Sequence, residues 1–238
     1  MSGATTIARR ELGSYFYSPI AYVVMVLFLL ICGSLFWNDF EPGQPAAMRT
    51  LFDWMVWLLV VAIPVLCMGL LAQERATNTF ETLMTAPVDE YEVVVGKFLG
   101  SLGLLVILLI PTFLYVLMMR IYARPDIGPI LSGYLGIILV GALFISIGLF
   151  CSAMTRSQIV AAVASAAILT IITIIPWWLG AKASLPPFWR GVVDQTVFRR
   201  YTDFSKGMVD VGNVVFFLAA TIVFLFITTK RLEFERWK

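Results

Sequence analysis

Residues 130–181 read ILSGYLGIILVGALFISIGLFCSAMTRSQIVAAVASAAILTIITIIPWWLGA. Two uncharged apolar runs, Ile130–Ala153 and Ser157–Ala181, are divided only by Met154, Thr155 and Arg156. A bilayer core roughly 30 Å deep needs about 20 helical residues to cross it, so each run is one crossing and Arg156 marks the turn between them. Working outward, Ile20–Trp37, Trp54–Ala72, Phe98–Met119 and Val214–Thr229 are apolar runs of similar kind, with no charge in their middles. The chain reads as an all-α integral membrane protein with six transmembrane helices, forming a single domain over residues 1–238.

Composition points the same way. Of 238 residues, 60% are hydrophobic and 13% charged, well outside the range of soluble domains. A net charge of +2 gives no footprint for nucleic acid. Cys32, Cys67 and Cys151 all lie in apolar runs and read as small buried hydrophobes, without metal or disulfide spacing. Arg9 and Arg10 precede an apolar run that is too long for a signal peptide and lacks a small-residue exit, so the first span is expected to persist.

The polar remainder is organised around the spans. Ala4, Ile7, Ala8, Leu12, Tyr15 and Phe16 repeat at helical spacing, with Thr5, Arg9, Arg10 and Ser14 on the other side. This predicts an amphipathic helix lying along the headgroups. Ser18-Pro19 then opens the first span, Ser18 as cap and Pro19 at the first helical position. Gln73–Lys97 is the most polar stretch, with capping-box spacing in Asn78/Glu81 and in Asp89/Glu92. Between them Phe80, Leu83 and Met84 share a helix face too short to cross lipid, which suits docking in a groove of a soluble protein. Lys182–Asn213, rich in Pro and aromatics, is expected to form one or two interfacial helices on the outer face.

Six spans place both termini on one side. With the termini inside, nine of the 17 Lys and Arg fall inside and eight outside. Arg9, Arg10, Lys230 and Arg231 flank spans directly, which favours cytoplasmic termini. Chemistry is scarce. The chain has no histidine, which removes Ser-His hydrolysis, His-ligated zinc and His-ligated haem. No ionisable group sits in the middle of a span, as an ion-coupled carrier commonly requires. Asp53 and Lys97 fall at span edges, where the headgroup boundary accounts for them. Gly96-Lys97 is no phosphate loop, because Tyr91 stands where the first glycine belongs and Phe98 replaces the hydroxyl residue. No catalytic, cofactor or metal site is expected. Pro64, Pro111 and Pro176 are candidate kinks. Gly96-x-x-x-Gly100 and Ala161, Ala162, Ser165 and Ala166 are candidate seams for close helix packing.

At this point the residues resemble a family. Glu74-Arg75, Thr79-Phe80-Glu81-Thr82-Leu83, Ala86-Pro87 and Val95-Gly96-Lys97 are similar to the loop of ABC transporter permeases of the type-2 exporter class. Arg10-Glu11-Leu12 through Val23, with Phe204–Asp210 and Glu235-Arg236-Trp237, resemble the branch that includes gliding-motility-associated permeases. The resemblance implies an N-terminal interfacial elbow helix, cytoplasmic termini in a bacterial cytoplasmic membrane, and short outer-face helices before span six. It implies a cytoplasmic coupling helix between spans two and three, carried here by Thr79, Phe80, Glu81, Leu83 and Met84 with Glu74 and Arg75 beside it. Two ATPase subunits would bind ATP and Mg, a second permease would pair through spans one and five, and a large auxiliary membrane subunit often joins. The function implied is export of an unidentified substrate. A non-transporting membrane anchor for a soluble complex is the alternative, followed by a secondary carrier or channel.

Overall fold

In the computed structural model, which describes residues 3–39, 48–77, 89–122, 126–180 and 195–236, each of the six apolar runs is helical over most of its described length. An amphipathic helix α1 (Gly3–Tyr17) leads into span one, α2 (Pro19–Asp39). Span two is α3 (Arg49–Cys67), followed by the short α4 (Ala72–Ala76). Span three is α5 (Glu90–Leu109), a 3-10 turn (Ile110–Thr112) and α6 (Phe113–Tyr122). Spans four and five are α7 (Ile127–Met154) and α8 (Gln158–Gly180). A surface helix α9 (Val197–Ser205) precedes span six, α10 (Val211–Arg236). Among the described residues there is no strand, and the protein is a multi-pass membrane protein.

Span four is the central post. In its most apolar stretch 83% of residues are buried, against 22% in spans one, five and six, so those three line the outside. Gly136, Gly141, Ala142, Ser146 and Gly148 along α7 are all buried, and α10, α3 and α9 pack on it. Small side chains let neighbouring backbones come close, which is where packing energy between helices in lipid arises. The outer spans display Val26 and Leu30, Val163 and Ile171, and Ile222 and Phe226, apolar faces suited to lipid or to another membrane helix.

The N-terminal helix forms as the periodicity predicts, but its apolar side meets protein rather than lipid. Ile7 and Tyr15 are buried against α5. The contact is possible because Gly96 and Gly100 face it. A Cβ on Gly96 would stand 2.7 Å from Ile7 Cβ, and one on Gly100 would stand 2.8 Å from Glu11 Cβ. The Gly96-x-x-x-Gly100 seam thus joins a span to the surface helix, not span to span. Tyr15 fastens the far end of α1. Its hydroxyl donates to the Leu66 carbonyl at 3.2 Å and lies 3.0 Å from Ser101 Oγ, and burial pushes the phenol pKa well up.

Three local expectations change. Span two does not run helically to Ala72. The chain turns at Met68–Leu71 and restarts, because Leu70, Leu71 and Ala72 are apolar against protein, which hydropathy cannot tell from lipid. Asp89 stands extended before α5 but makes no side-chain cap. Its expected partner Glu92 instead accepts the Gly3 N–H at 3.0 Å, placing a carboxylate at the positive end of α1. Of the prolines, Pro111 divides span three, while Pro64 and Pro176 sit inside continuous helices. At the Pro111 break the Thr112 hydroxyl bonds the Leu109 carbonyl at 2.6 Å and pairs with Tyr134 Oη at 2.8 Å.

On the face opposite the termini, α9 is the interfacial helix expected there. Residues 181–194, which hold the Pro186-Pro187-Phe188-Trp189 cluster, lie outside the described residues. Ser132 of α7 donates to the Phe204 carbonyl at 2.8 Å, and Gly207 turns the chain with φ +89°, a conformation that favours glycine. Arg200 donates to Asn213 at 3.0 Å, Asn213 donates to Asp203 at 3.1 Å, and the Arg200 guanidinium lies 4.3 Å from the Phe216 ring centre. The helix is bolted to spans four and six.

Substituting Gly96→Leu should lift α1 off α5 and destabilise the fold by about 1–3 kcal/mol, the range for overpacking a tight contact. A cysteine at Ile7, protected in the parent, should then react readily with a maleimide.

Candidate functional site

The most concentrated chemistry in the described residues is a group of charges where α1, α4 and α5 meet. Lys97 lies two turns into span three and is 1% exposed. Its ammonium donates to Glu11 Oε1 of α1 at 2.7 Å and to Glu74 Oε1 of α4 at 2.8 Å. Arg10, at the rim, approaches the same oxygens at 3.3 and 3.5 Å. Two cations and two carboxylates cancel formally. The expectation that Lys97 snorkels to the headgroups is therefore corrected: its charge is satisfied inside the protein by partners 86 and 23 residues away in sequence.

Physics ranks these contacts. A buried ammonium without partners is very costly, so the two Lys97 bonds fix the positions of both carboxylates. Arg10 is more than half exposed, and its pairs belong to the weak class of surface ion pairs. Removing either carboxylate leaves Lys97 short of one bond. Removing Lys97 leaves two partly buried like charges sharing a corner.

A second anchor holds the same corner from span four. Ser152 Oγ is fully buried, accepts the Leu71 and Ala72 N–H groups at 3.0 Å each, and lies 3.2 Å from the Met68 carbonyl. The first N–H groups of a helix have no partner within it, so Ser152 caps α4 from a different helix. The restart after span two is tied to span three by charge and to span four by hydrogen bonds.

Thr79, Phe80, Glu81, Leu83 and Met84, and the Asn78/Glu81 cap, lie outside the described residues. Glu74 and Arg75, on α4, lead directly into that segment. Glu74 is turned inward to Lys97, and only a fifth of its side chain is exposed. On span five the structure divides the candidate seam. Ala161 and Ser165 are buried in their own bundle, with Ser165 donating to the Ala161 carbonyl at 2.8 Å, while Ala162 and Ala166 are half-buried beside them. The exposed stripe of α8 is Val160, Val163, Ile171, Ile174 and Trp178.

Sequence reasoning did not assign Glu11, Lys97 and Ser152 their roles. For the first two a signal existed. A lysine beside Gly96 at the edge of an apolar span, and a glutamate on the predicted surface helix, are the ordinary ingredients of an internal pair. Ser152 gives no such signal, since a serine in a span commonly bonds its own helix.

Six crossings with a surface helix packed on span three define a multi-pass helical membrane protein. A family model described as ABC-2 family transporter protein matches residues 5–236, nearly the whole chain, and the protein belongs to that family. It is therefore a permease subunit of an ABC transporter, from a family of membrane subunits that work with ABC ATPase subunits. A comparison with curated proteins finds no match.

Lys97→Met should cost about 3–5 kcal/mol in a denaturation assay in detergent, the range for breaking a buried ion pair. The triple variant Lys97→Met, Glu11→Gln, Glu74→Gln should recover most of that loss. Ser152→Ala should cost about 1–3 kcal/mol, because it orphans the Leu71 and Ala72 N–H groups at the start of α4.

Proposed function

We propose that this permease forms an exporter with two ATPase subunits and a second permease, and that residues 79–84 are the coupling helix through which the ATPases drive it. The reading places the protein in a bacterial cytoplasmic membrane with both termini cytoplasmic, ATP and Mg residing in the partner. The observation that carries it is the double anchoring of α4. A segment meant to transmit a push must be rigidly joined to what it pushes.

The mechanical sequence follows from that joint. ATP closes the two ATPases, and a helix seated in each is displaced with them. Phe80, Leu83 and Met84 supply the docked apolar face, with Thr79 and Glu81 beside it. Arg75 lies at the edge of this contact, and Glu74 transmits rather than docks. Displacement of α4 is shared with α1 and α5 through Glu74, Lys97 and Glu11, and with α7 through Ser152. Spans three and four then move with the elbow helix as one body, changing access to a cavity between the permeases.

The second permease pairs through spans one and five, where the exposed stripe of α8 and the half-buried Ala162 and Ala166 offer a close-packing surface. The N- and C-terminal blocks support a place in the gliding-motility-associated branch, with a large auxiliary membrane subunit. The alternative, a non-transporting anchor, would recruit the ATPase without stimulating it.

Phe80→Asp combined with Leu83→Asp should abolish recovery of the ATPase in a pull-down while leaving the permease inserted. Wild-type recovery would remove the coupling assignment. A cysteine at Thr82 should resist an impermeant thiol reagent in intact cells and react once the membrane is opened. Ala162→Glu should disrupt a crosslinked permease dimer, and an unchanged dimer would move the interface off span five.

A further inference from the structure

On the face opposite the termini two buried oxygens lack a hydrogen-bond partner among the described residues. One is Asp53 Oδ1, near the start of α3, and the other is the hydroxyl of Tyr201 on α9. Tyr201 is fully buried, and a Cβ on Gly136 of α7 would stand 3.2 Å from its ring. Asp53 is half-buried. A polar atom shut away from water without a partner costs stability, so such atoms are rare in folded proteins and call for an explanation.

The register of the two helices brings these residues together. Asp53 and Trp57 lie one turn apart on α3, and Phe198 and Tyr201 lie one turn apart on α9. The Trp57 and Phe198 rings meet with centres 5.2 Å apart, and the Phe198 and Tyr201 centres are 6.4 Å apart. With α9 packed on α3 in this register, Tyr201 stands beside Asp53. Burial, with the Asp53 carboxylate adding to it, pushes the Tyr201 phenol well up, so the phenol keeps its proton and can donate. Yet no direct hydrogen bond joins the two.

The group that joins them must accept from a phenol and donate to a carboxylate oxygen. A metal ion does neither, and one carboxylate with one neutral phenol is a poor ligand set for it. Arg49 and Lys206, both exposed, are the cations that face Asp53, and they oppose a further positive charge. A water molecule does both, and it is small enough to stand against a side chain that solvent does not reach.

We infer that one ordered water sits between α3 and α9, accepting a hydrogen bond from the Tyr201 hydroxyl and donating one to Asp53 Oδ1. It ties the surface helix to span two, as Ser132 ties it to span four. The inference does not depend on the transport reading. Tyr201→Phe tests it by sign. Removing an orphaned hydroxyl leaves Tm unchanged or raises it, whereas removing a bridged one should lower Tm in detergent by about 2–4 °C. In an Asp53→Ala background, where the other end of the bridge is gone, the same substitution should lower Tm by less than about 1 °C. A direct phenol–carboxylate bond would give the same pattern, so a map of the full-length permease at a resolution that shows waters is the deciding measurement. A peak within hydrogen-bond distance of both oxygens is expected. The two oxygens in contact with each other, or no peak between them, would overturn the inference. So would an unchanged or higher Tm in Tyr201→Phe, or an undiminished loss in the Asp53→Ala background. The map is made on the parent protein, so it decides the matter even where a variant fails to fold.

Discussion

An ammonium shut away from water must find carboxylates, and in this protein that requirement shapes the whole terminal face. Lys97 is buried at the meeting point of three segments that hydropathy alone would leave independent: the surface helix, the restart after span two and the start of span three. Glu11 and Glu74 reach it from two different helices, so α1 and α4 cannot drift without exposing an uncompensated charge to a poor solvent. Glycines at positions 96 and 100 bring α1 close enough for this to work. Charge and close packing are two halves of one joint.

Much of the architecture was legible because lipid imposes a blunt rule. Backbone polar groups inside a bilayer must be satisfied within the segment, so a long uncharged run becomes a helix whatever its neighbours do. The runs at 20–37, 130–153 and 157–181 therefore appear with nearly the expected ends. The surface helix was legible for a related reason, since its period of apolar residues persists whether the apolar side meets lipid or protein. What hydropathy could not supply was the identity of that neighbour. Leu70 and Leu71 look like the continuation of a span but lie after its end, buried in protein.

The candidate site was legible in part. Glu74, Arg75 and Lys97 stood out as polar residues beside the third span, yet their mutual relation did not, because Lys97 and Glu11 are 86 residues apart. Glu92 matched a local capping pattern and serves a distant helix instead. Spacing rules describe only partners on the same helix, whereas both of these acidic side chains act across helices. Ser152 is the limiting case: its hydroxyl caps a helix 80 residues earlier, and nothing in its own surroundings announces it.

The opposite face is built on another plan. There the short helix ahead of the last crossing is held by Ser132 to the central post and by the Arg200–Asn213–Asp203 chain to span six. A flap secured along both edges cannot swing like a hinged lid. Any displacement of that helix carries the last crossing with it, a rod of 26 residues rather than a loop.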